Sequence, residues 1–255
     1  MEHIYAYILL FAAALFAGAV NSVAGGGSLI SFPMLIALGV SPIQANATNT
    51  AAVWPGSLSS ALAYRKDTAL YKGLLMTLVI PSVIGGLLGA VVLVVTPPDM
   101  FMRIVPFLVL FATLLFAFKG MINRLFKVGK SDGHIGVWGH VFGFIFQGFV
   151  ATYGGYFGAG IGIIMLGSLS VLGLHDIHRM NGLKTILGTL INVIAFIFFA
   201  YKGLVIFHIA ILMAVGTIIG GYVGARSAKK IDQRYIRAAV ICVGLIVSGW
   251  LFMKR

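Results

Sequence analysis

The chain has 255 residues, of which 60% are hydrophobic and only 9% are charged, and its mean hydropathy is +1.05. A soluble domain cannot bury this much apolar surface in one core, so the composition excludes a water-soluble protein and predicts an integral membrane protein. The net charge of +12 does not indicate a nucleic-acid partner, because the basic residues lie in short loops between apolar segments and form no single patch.

Taken in order, the apolar runs predict an all-α polytopic membrane protein, since helices satisfy their own backbone hydrogen bonds in lipid. Two segments are short: at 14 to 16 residues each, the second and seventh reach only about 21 to 24 Å, less than the roughly 30 Å hydrocarbon core. Both follow glycine clusters. We therefore expect about eight full transmembrane helices and two short or broken segments. The ten segments are 4–23, 25–38, 41–63, 70–95, 100–118, 134–153, 157–172, 176–200, 203–225 and 234–252.

A long basic loop divides the chain into two similar halves, so that residues 1–118 form a first repeat, 119–133 the loop and 134–255 a second repeat. Gly39-Val-Ser-Pro-Ile43 matches Gly173-Leu-His-Asp-Ile177 at an offset of 134 residues. Gly85-Gly-Leu-Leu-Gly-Ala90 matches Gly220-Gly-Tyr-Val-Gly-Ala225 at an offset of 135. Two matches at nearly the same offset predict a duplicated unit of five segments.

The basic residues also predict the topology. If all ten segments cross, one side receives 14 of the 18 Lys and Arg residues and the other receives 4. The positive-inside rule then makes the richer side cytoplasmic and leaves both termini outside. An odd number of segments per half inverts the second repeat. If the two short segments were instead re-entrant, the division would be 10 against 8, so the bias favours ten crossings of the cell (inner or plasma) membrane.

The run Asn21-Ser-Val-Ala-Gly-Gly-Gly-Ser28 is the most informative stretch. Gly25, Gly26 and Gly27 precede a predicted helix start, where bare N–H groups and the positive end of the helix dipole favour an anion. The alternative is that these glycines only allow helices to pack closely. A second glycine cluster at 154–162 precedes the other short segment, and packing alone does not predict this pairing.

The chain offers no carboxylate at mid-membrane, because its six acidic residues all lie at a terminus, in a loop or at a segment edge. This argues against an enzyme and against coupling through a buried acid. Lys184 does lie inside a segment, three residues after Asn181, and either faces an anion or extends its ammonium to the interface. His175 and His178 flank Asp176, but no third ligand follows at a suitable spacing, so no metal site and no cofactor are predicted. Trp54-Pro55-Gly56 and Pro81 are expected to kink or unwind their helices.

These motifs resemble those of the sulfite exporter TauE/SafE family of membrane proteins. The similarity rests on Ala24-Gly-Gly-Gly-Ser28, Pro33, Ala45 and Ala47-Thr-Asn49, with echoes at 154–162 and 220–225, and it covers essentially the whole chain. The resemblance implies a multi-pass permease for small anions, typically sulfur oxyanions or organosulfonates. Lys184 matches a lysine of such relatives.

We therefore expect a secondary transporter that moves a small anion by alternating access, with the two glycine-led helix starts meeting at one site. The alternative is a membrane subunit that assembles with partners and transports nothing. The partners expected are the anion, the lipid bilayer and a second copy of the chain in a homo-oligomer. The residues predicted to bind the anion are Asn21, Gly25, Gly26, Gly27, Ser28, Thr48, Asn49, Gly158, Gly160, Asn181 and Lys184.

The topology is testable with alkaline phosphatase, which folds only outside the cytoplasm. We expect a fusion after Arg255 to be active, since the charge distribution places the C-terminus outside. A fusion after Lys127, in the basic loop, serves as the inactive control. An expressed but inactive fusion at Arg255 contradicts the ten-crossing topology.

Overall fold

The computed structural model describes residues 2–23, 25–63, 72–125, 137–172, 174, 177–227 and 233–253. These residues form helices joined by short turns, and they contain no strand. In chain order the helices are α1 (Glu2–Val23), α2 (Ser28–Ala37), α3 (Pro42–Ala63), α4 (Lys72–Val95), α5 (Pro98–Leu125), α6 (Val137–Tyr156), α7 (Ile161–Val171), α8 (Ile177–Tyr201), α9 (Phe207–Ser227) and α10 (Gln233–Met253).

Each predicted segment corresponds to one of these helices, and the two expected to be short have 10 and 11 residues. One detail of the prediction was wrong. The helix α5 continues to Leu125 instead of ending at 118, so part of the basic loop is helical. Pro55 and Pro81 lie inside continuous helices, so the backbone is not unwound at either residue.

Five of the helices, α1, α4, α5, α8 and α9, are long and apolar enough to cross a membrane. Their outward faces carry large apolar side chains, such as Met76 and Val95 of α4, which are exposed by about 70%. In contrast, many Ser, Thr and Asn side chains are buried between the helices. Apolar residues outside and polar residues inside are the arrangement that a lipid environment favours. The chain is thus an all-helical, multi-pass membrane protein, as its sequence predicts.

Glycine allows α9 to pack closely against α1. Along α9, Gly216 lies against Phe11 and Ala14 of α1, and Gly220 and Gly224 lie against the α1 backbone further towards its C-terminus. The contacts advance in the same direction along both helices, so α1 and α9 run parallel. A side chain at these glycines would collide with main-chain atoms, which cannot rotate away.

The helices α4 and α6 form a second pair that packs through glycine. Gly85 of α4 lies against Gly148 of α6, and Gly89 lies against Gly155 and Tyr156. These helices are also parallel. The helix α5 instead packs antiparallel to α10, since Ser248 donates a hydrogen bond to Pro106 O and Gly244 contacts the more C-terminal Thr113.

The helix α3 packs against α9, and its contacts show in which direction it runs relative to α9 and α1. Ser60 of α3 donates to Gly221 O, and Thr217 donates to Ala52 O, so α3 runs parallel to α9 and hence to α1. Because α1 and α3 point the same way, the short α2 returns the chain towards the side where α1 began. The short α2 therefore acts as a return path inside the bundle.

The glycine contacts predict a position-specific loss of stability. In Gly220→Ala the new Cβ meets the α1 backbone at Leu15, and we expect a loss of about 1–3 kcal/mol, which lowers Tm by several degrees. Gly249→Ala is the matched control, because nothing lies within 4 Å of that position. Its Tm should stay unchanged or rise slightly. Thermal unfolding of the purified variants measures both, and equal Tm values would contradict the packing.

Candidate binding site between two helix breaks

The first break lies between α1 and α2. Gly25 has φ +80°, a conformation that other residues adopt only with strain, and its N–H donates to Val20 O at 3.1 Å. Gly27 precedes the first turn of α2 and lies against the backbone of Ala17, inside α1. The helix α2 therefore begins beside the interior of a long helix, about 9 Å before α1 ends at Val23.

The second break, between α6 and α7, has the same construction. Gly158 and Gly160 both have φ +76°, and Gly160 precedes the first turn of α7. Gly160 lies against Ala112 near the middle of α5. Gly25 and Gly160 are separated by the 135 residues that relate the two halves of the sequence.

The two breaks touch each other inside the bundle. A Cβ on Gly25 would lie 2.9 Å from the Cα of Gly162, and a Cβ on Gly162 would lie 2.9 Å from the Cα of Gly25. Only glycine fits on both sides of this contact. The prediction that the two breaks meet is consistent with this geometry, and the starts of α2 and α7 lie on either side of the contact.

Lys184 of α8 reaches the same place. Its Cδ lies 3.1 Å from the position of a Cβ on Gly162, and only 3% of the residue is exposed. The ammonium donates to the side-chain oxygen of Asn181 at 3.0 Å and to the main-chain oxygen of Asn21 at 3.4 Å. Asn21 lies in the last turn of α1, where helix carbonyls carry partial negative charge and favour a cation. The structure thus places a buried ammonium beside the glycine contact.

Four of the predicted residues, Asn21, Gly25, Asn181 and Lys184, come together at this point. The side-chain nitrogen of Asn21 also donates to Ser57 of α3 at 3.2 Å, which fixes the end of α1. Ser57 and Gly162 were not among the predicted site residues, although Gly162 belongs to the glycine cluster at 154–162.

Asn49 occupies a separate polar contact. Its side-chain oxygen accepts a hydrogen bond of 2.6 Å from Ser31, which joins α3 to α2 four residues into the short helix. Both residues are buried. The pair holds the two helices together.

The other predicted residues have local structural roles. The hydroxyl oxygen of Thr48 accepts the main-chain N–H of Ile206 at 3.0 Å, just before α9 begins, so Thr48 anchors that helix start. Gly26 and Gly27 accept the first main-chain hydrogen bonds of α2, from Leu29 and Ile30. Ser28 is the half-buried first residue of α2. Gly158 faces Asn192, and Gly160 faces α5.

One buried polar residue was missed. Asn46 is 1% exposed, and its side-chain nitrogen donates to Tyr156 O at 2.9 Å. The offset of 135 residues relates Asn46 to Asn181, and it relates Thr50 to Thr185. Each threonine donates to the main-chain oxygen of its asparagine. Aligning the two halves over α3 and α8 would have identified Asn46.

Two other features do not contribute to this site. A groove on the outer surface between α4 and α6 is apolar, with Pro81, Ile84 and Phe149 in its lining, and it faces lipid. Within the described residues no group of three His, Cys, Asp or Glu side chains approaches metal-binding geometry. His175 and Asp176 lie outside those residues, and so do residues 126–136, which include the second part of the basic loop.

The fold and this interior define a class: a helical, multi-pass membrane protein with a polar centre built around two broken helices. Comparison with known families gives a specific result. The family model described as "Sulfite exporter TauE/SafE" matches residues 10–251, so the chain belongs to that family, and the resemblance seen in the motifs is confirmed.

Individual relatives align over most of their lengths. The chain is 30% identical over 247 residues to "Probable membrane transporter protein ORF9" of Sinorhizobium sp., covering 96% of this chain and 91% of the relative. It is 29% identical to "Probable membrane transporter protein YfcA" of Escherichia coli K12, covering 95% and 88%. A "Probable membrane transporter protein" of Haemophilus influenzae is 26% identical, with 94% and 92% covered. No solved structure matches the chain.

The contact between the breaks predicts how two glycine substitutions differ. Gly25 and Gly39 both have positive φ, but nothing lies within 4 Å of a Cβ at Gly39. Gly39→Ala should therefore lose only about 1–2 kcal/mol of folding stability, which is the cost of the left-handed backbone conformation for alanine. Gly25→Ala should lose about 1–3 kcal/mol more, because it also pushes against Gly162. Thermal unfolding measures the difference, and equal losses would show that the contact is loose.

Proposed function

We propose that this protein is a secondary transporter, a permease that moves a small anion across the cell membrane through the centre of the bundle. The observation that carries the proposal is the buried ammonium of Lys184 beside the contact between the two helix breaks. Charged groups inside membrane segments are costly and mark substrate pathways, particularly where broken helices meet.

The electrostatics of this centre favour an anion. The helices α2 and α7 begin beside this contact with the positive ends of their dipoles, and Lys184 adds a full positive charge. Among the described side chains the one carboxylate is Asp99, exposed at the start of α5. A small anion thus meets donors and a cation there, and no described acid repels it.

A sulfur oxyanion or an organosulfonate is the substrate class we propose. Sulfite and sulfonate groups present several oxygens in a compact tetrahedral or pyramidal head, which suits donors that converge from two helix ends and one ammonium. The description of the family as sulfite exporters supports this class. The names of the relatives support membrane transport but specify no substrate.

We further propose that the two halves are inverted repeats that rock against each other. The helix pairs support this symmetry: α1 packs parallel to α9, and its counterpart α6 packs parallel to α4. The counterparts α5 and α10 are antiparallel to each other, as an axis in the membrane plane requires. The parallel α1 and α3 support ten passes, and the distribution of Lys and Arg supports both termini outside.

The described conformation is closed around the site. Lys184, Asn181 and Gly25 are all buried, so an anion reaches them only after helices separate. In alternating access this arrangement corresponds to an occluded intermediate, and opening on either side means separation at the glycine-mediated helix contacts.

A flux assay tests the proposal. Purified protein in liposomes is supplied with sulfite, thiosulfate, an alkanesulfonate or a carboxylate of similar size, and movement across the membrane is measured. We expect flux of at least one sulfur-containing anion above that of protein-free liposomes. Binding without flux for every anion would instead favour a non-transporting membrane subunit.

The role of Lys184 gives a direct mutational prediction. Lys184→Ala removes one charge-assisted hydrogen bond to the anion, so flux at subsaturating substrate should fall about 10- to 100-fold. Lys202→Ala is the control, because Lys202 is exposed after α8 and also carries one positive charge. Membrane insertion and Tm are measured for both. A folded Lys184→Ala with unchanged flux and affinity would remove Lys184 from the site.

A further inference from the structure

The side chain of Asn46 leaves one polar atom without a partner. Its nitrogen donates to Tyr156 O at 2.9 Å, but among the described residues its oxygen accepts no hydrogen bond. The residue is 1% exposed, so lipid and bulk water do not reach it. A buried acceptor without a donor costs about 1–3 kcal/mol, which makes this atom an exception that needs a ligand or a water.

The orientation of the amide follows from its neighbour. Tyr156 O is a carbonyl and can only accept, so the amide nitrogen must face it and the oxygen must be the atom left over. Tyr156 is the last residue of α6, next to the break at Gly158. Carbonyls at a helix C-terminus lack intrahelical donors and carry partial negative charge. Asn46 therefore adds an oxygen to an end that already attracts cations.

In the second half of the protein, a cation occupies the position that corresponds to Asn46 and the end of α6. The 135-residue offset relates Asn46 to Asn181 and Tyr156 to Asn21. The ammonium of Lys184 lies between this second pair, 3.0 Å from Asn181 Oδ1 and 3.4 Å from Asn21 O. An asparagine oxygen and the terminal carbonyl of a broken helix thus bind a cation in the second half.

The first half has no tethered cation at the corresponding position. The same offset relates Lys184 to Asn49, and the Asn49 oxygen is engaged by the hydroxyl of Ser31. The pair formed by Asn46 and the end of α6 therefore repeats the residue positions of the second half without an ammonium. The Asn46 nitrogen meets one lone pair of the Tyr156 oxygen, and the Asn46 oxygen is left without a partner among the described residues.

We propose that the oxygen of Asn46 and the C-terminal end of α6 form a binding site for a monovalent cation, Na⁺. Amide and main-chain oxygens at half-helix C-termini are the ligands that Na⁺ takes in broken-helix membrane proteins. A divalent ion requires more negative charge, and the one carboxylate among the described side chains, Asp99, is exposed at the start of α5. A role for Na⁺ as the coupling ion rests on the proposed transport; its binding does not.

Binding is tested on purified wild-type protein without any sulfur anion or carboxylate, so that the result is independent of transport. We expect bound ²²Na⁺ at about one ion per chain and a Tm that is about 3 °C higher in NaCl, at ten times Kd, than in choline chloride of equal ionic strength. An equal Tm in both salts with no bound ²²Na⁺ would overturn the site and leave a buried water as the partner of Asn46.

Two variants locate the ion. Asn46→Leu should lose both the bound ²²Na⁺ and the Na⁺-dependent rise in Tm. Gln147→Leu is the matched control, since the Gln147 side chain is also fully buried with an unpartnered oxygen, but in the middle of α6 away from the break. It should keep the Na⁺ response. Loss of the response in Gln147→Leu, or its retention in Asn46→Leu, would overturn the assignment to Asn46.

A third variant tests the comparison between the halves and does not depend on Asn46→Leu folding. Asn49→Lys supplies a tethered ammonium at the position that corresponds to Lys184. The ammonium should occupy the site, so ²²Na⁺ binding should fall at least tenfold while the protein stays folded in choline chloride. Undiminished ²²Na⁺ binding in folded Asn49→Lys would show that the two places are not equivalent, which contradicts the proposal.

Discussion

The contact between Gly25 and Gly162 is the constraint on which the centre of this protein depends. Neither residue has a side chain, and a Cβ on either would press on the other. The absence of both side chains lets two broken helices bring their backbones together inside the bundle. Short helices α2 and α7 then begin in the interior, where their N-terminal N–H groups face protein and not lipid. The polar centre exists because these two glycines touch.

The long helices hold the two breaks in place through the same physical device. Gly216, Gly220 and Gly224 let α9 lie directly on α1, while Gly85 and Gly89 let α4 lie on α6. Lipid supplies no hydrophobic force between helices, so close van der Waals contact and short polar bonds must supply the association. Ser60 and Thr217 provide such bonds between α3 and α9. Apolar side chains face outward, and Ser, Thr and Asn side chains are buried between the helices beside an apolar core.

The two halves share a framework but differ in charge. Asn46 and Asn181 occupy corresponding positions beside the ends of α6 and α1. Lys184 supplies a permanent cation to one of them, and the corresponding Asn49 bonds to Ser31. A duplicated scaffold with one changed side chain can thus present different electrostatics at two related places. In the proposed transporter this difference separates an anion-facing side of the centre from an oxygen-rich side.

The sequence by itself determined the membrane class, the ten helical segments, the shortness of two of them and the family, because composition and glycine placement act locally along the chain. It also selected Lys184 and Asn181, since a charge within an apolar segment is visible without a structure. Only the tertiary structure decided the partners: Thr48 anchors the start of α9 near Ile206, Asn49 binds Ser31, and Asn46 meets Tyr156. Helical periodicity shows which face of a segment is polar but not which helix lies against it. Those contacts join residues far apart in the chain, and they depend on how closely glycine allows the helices to approach.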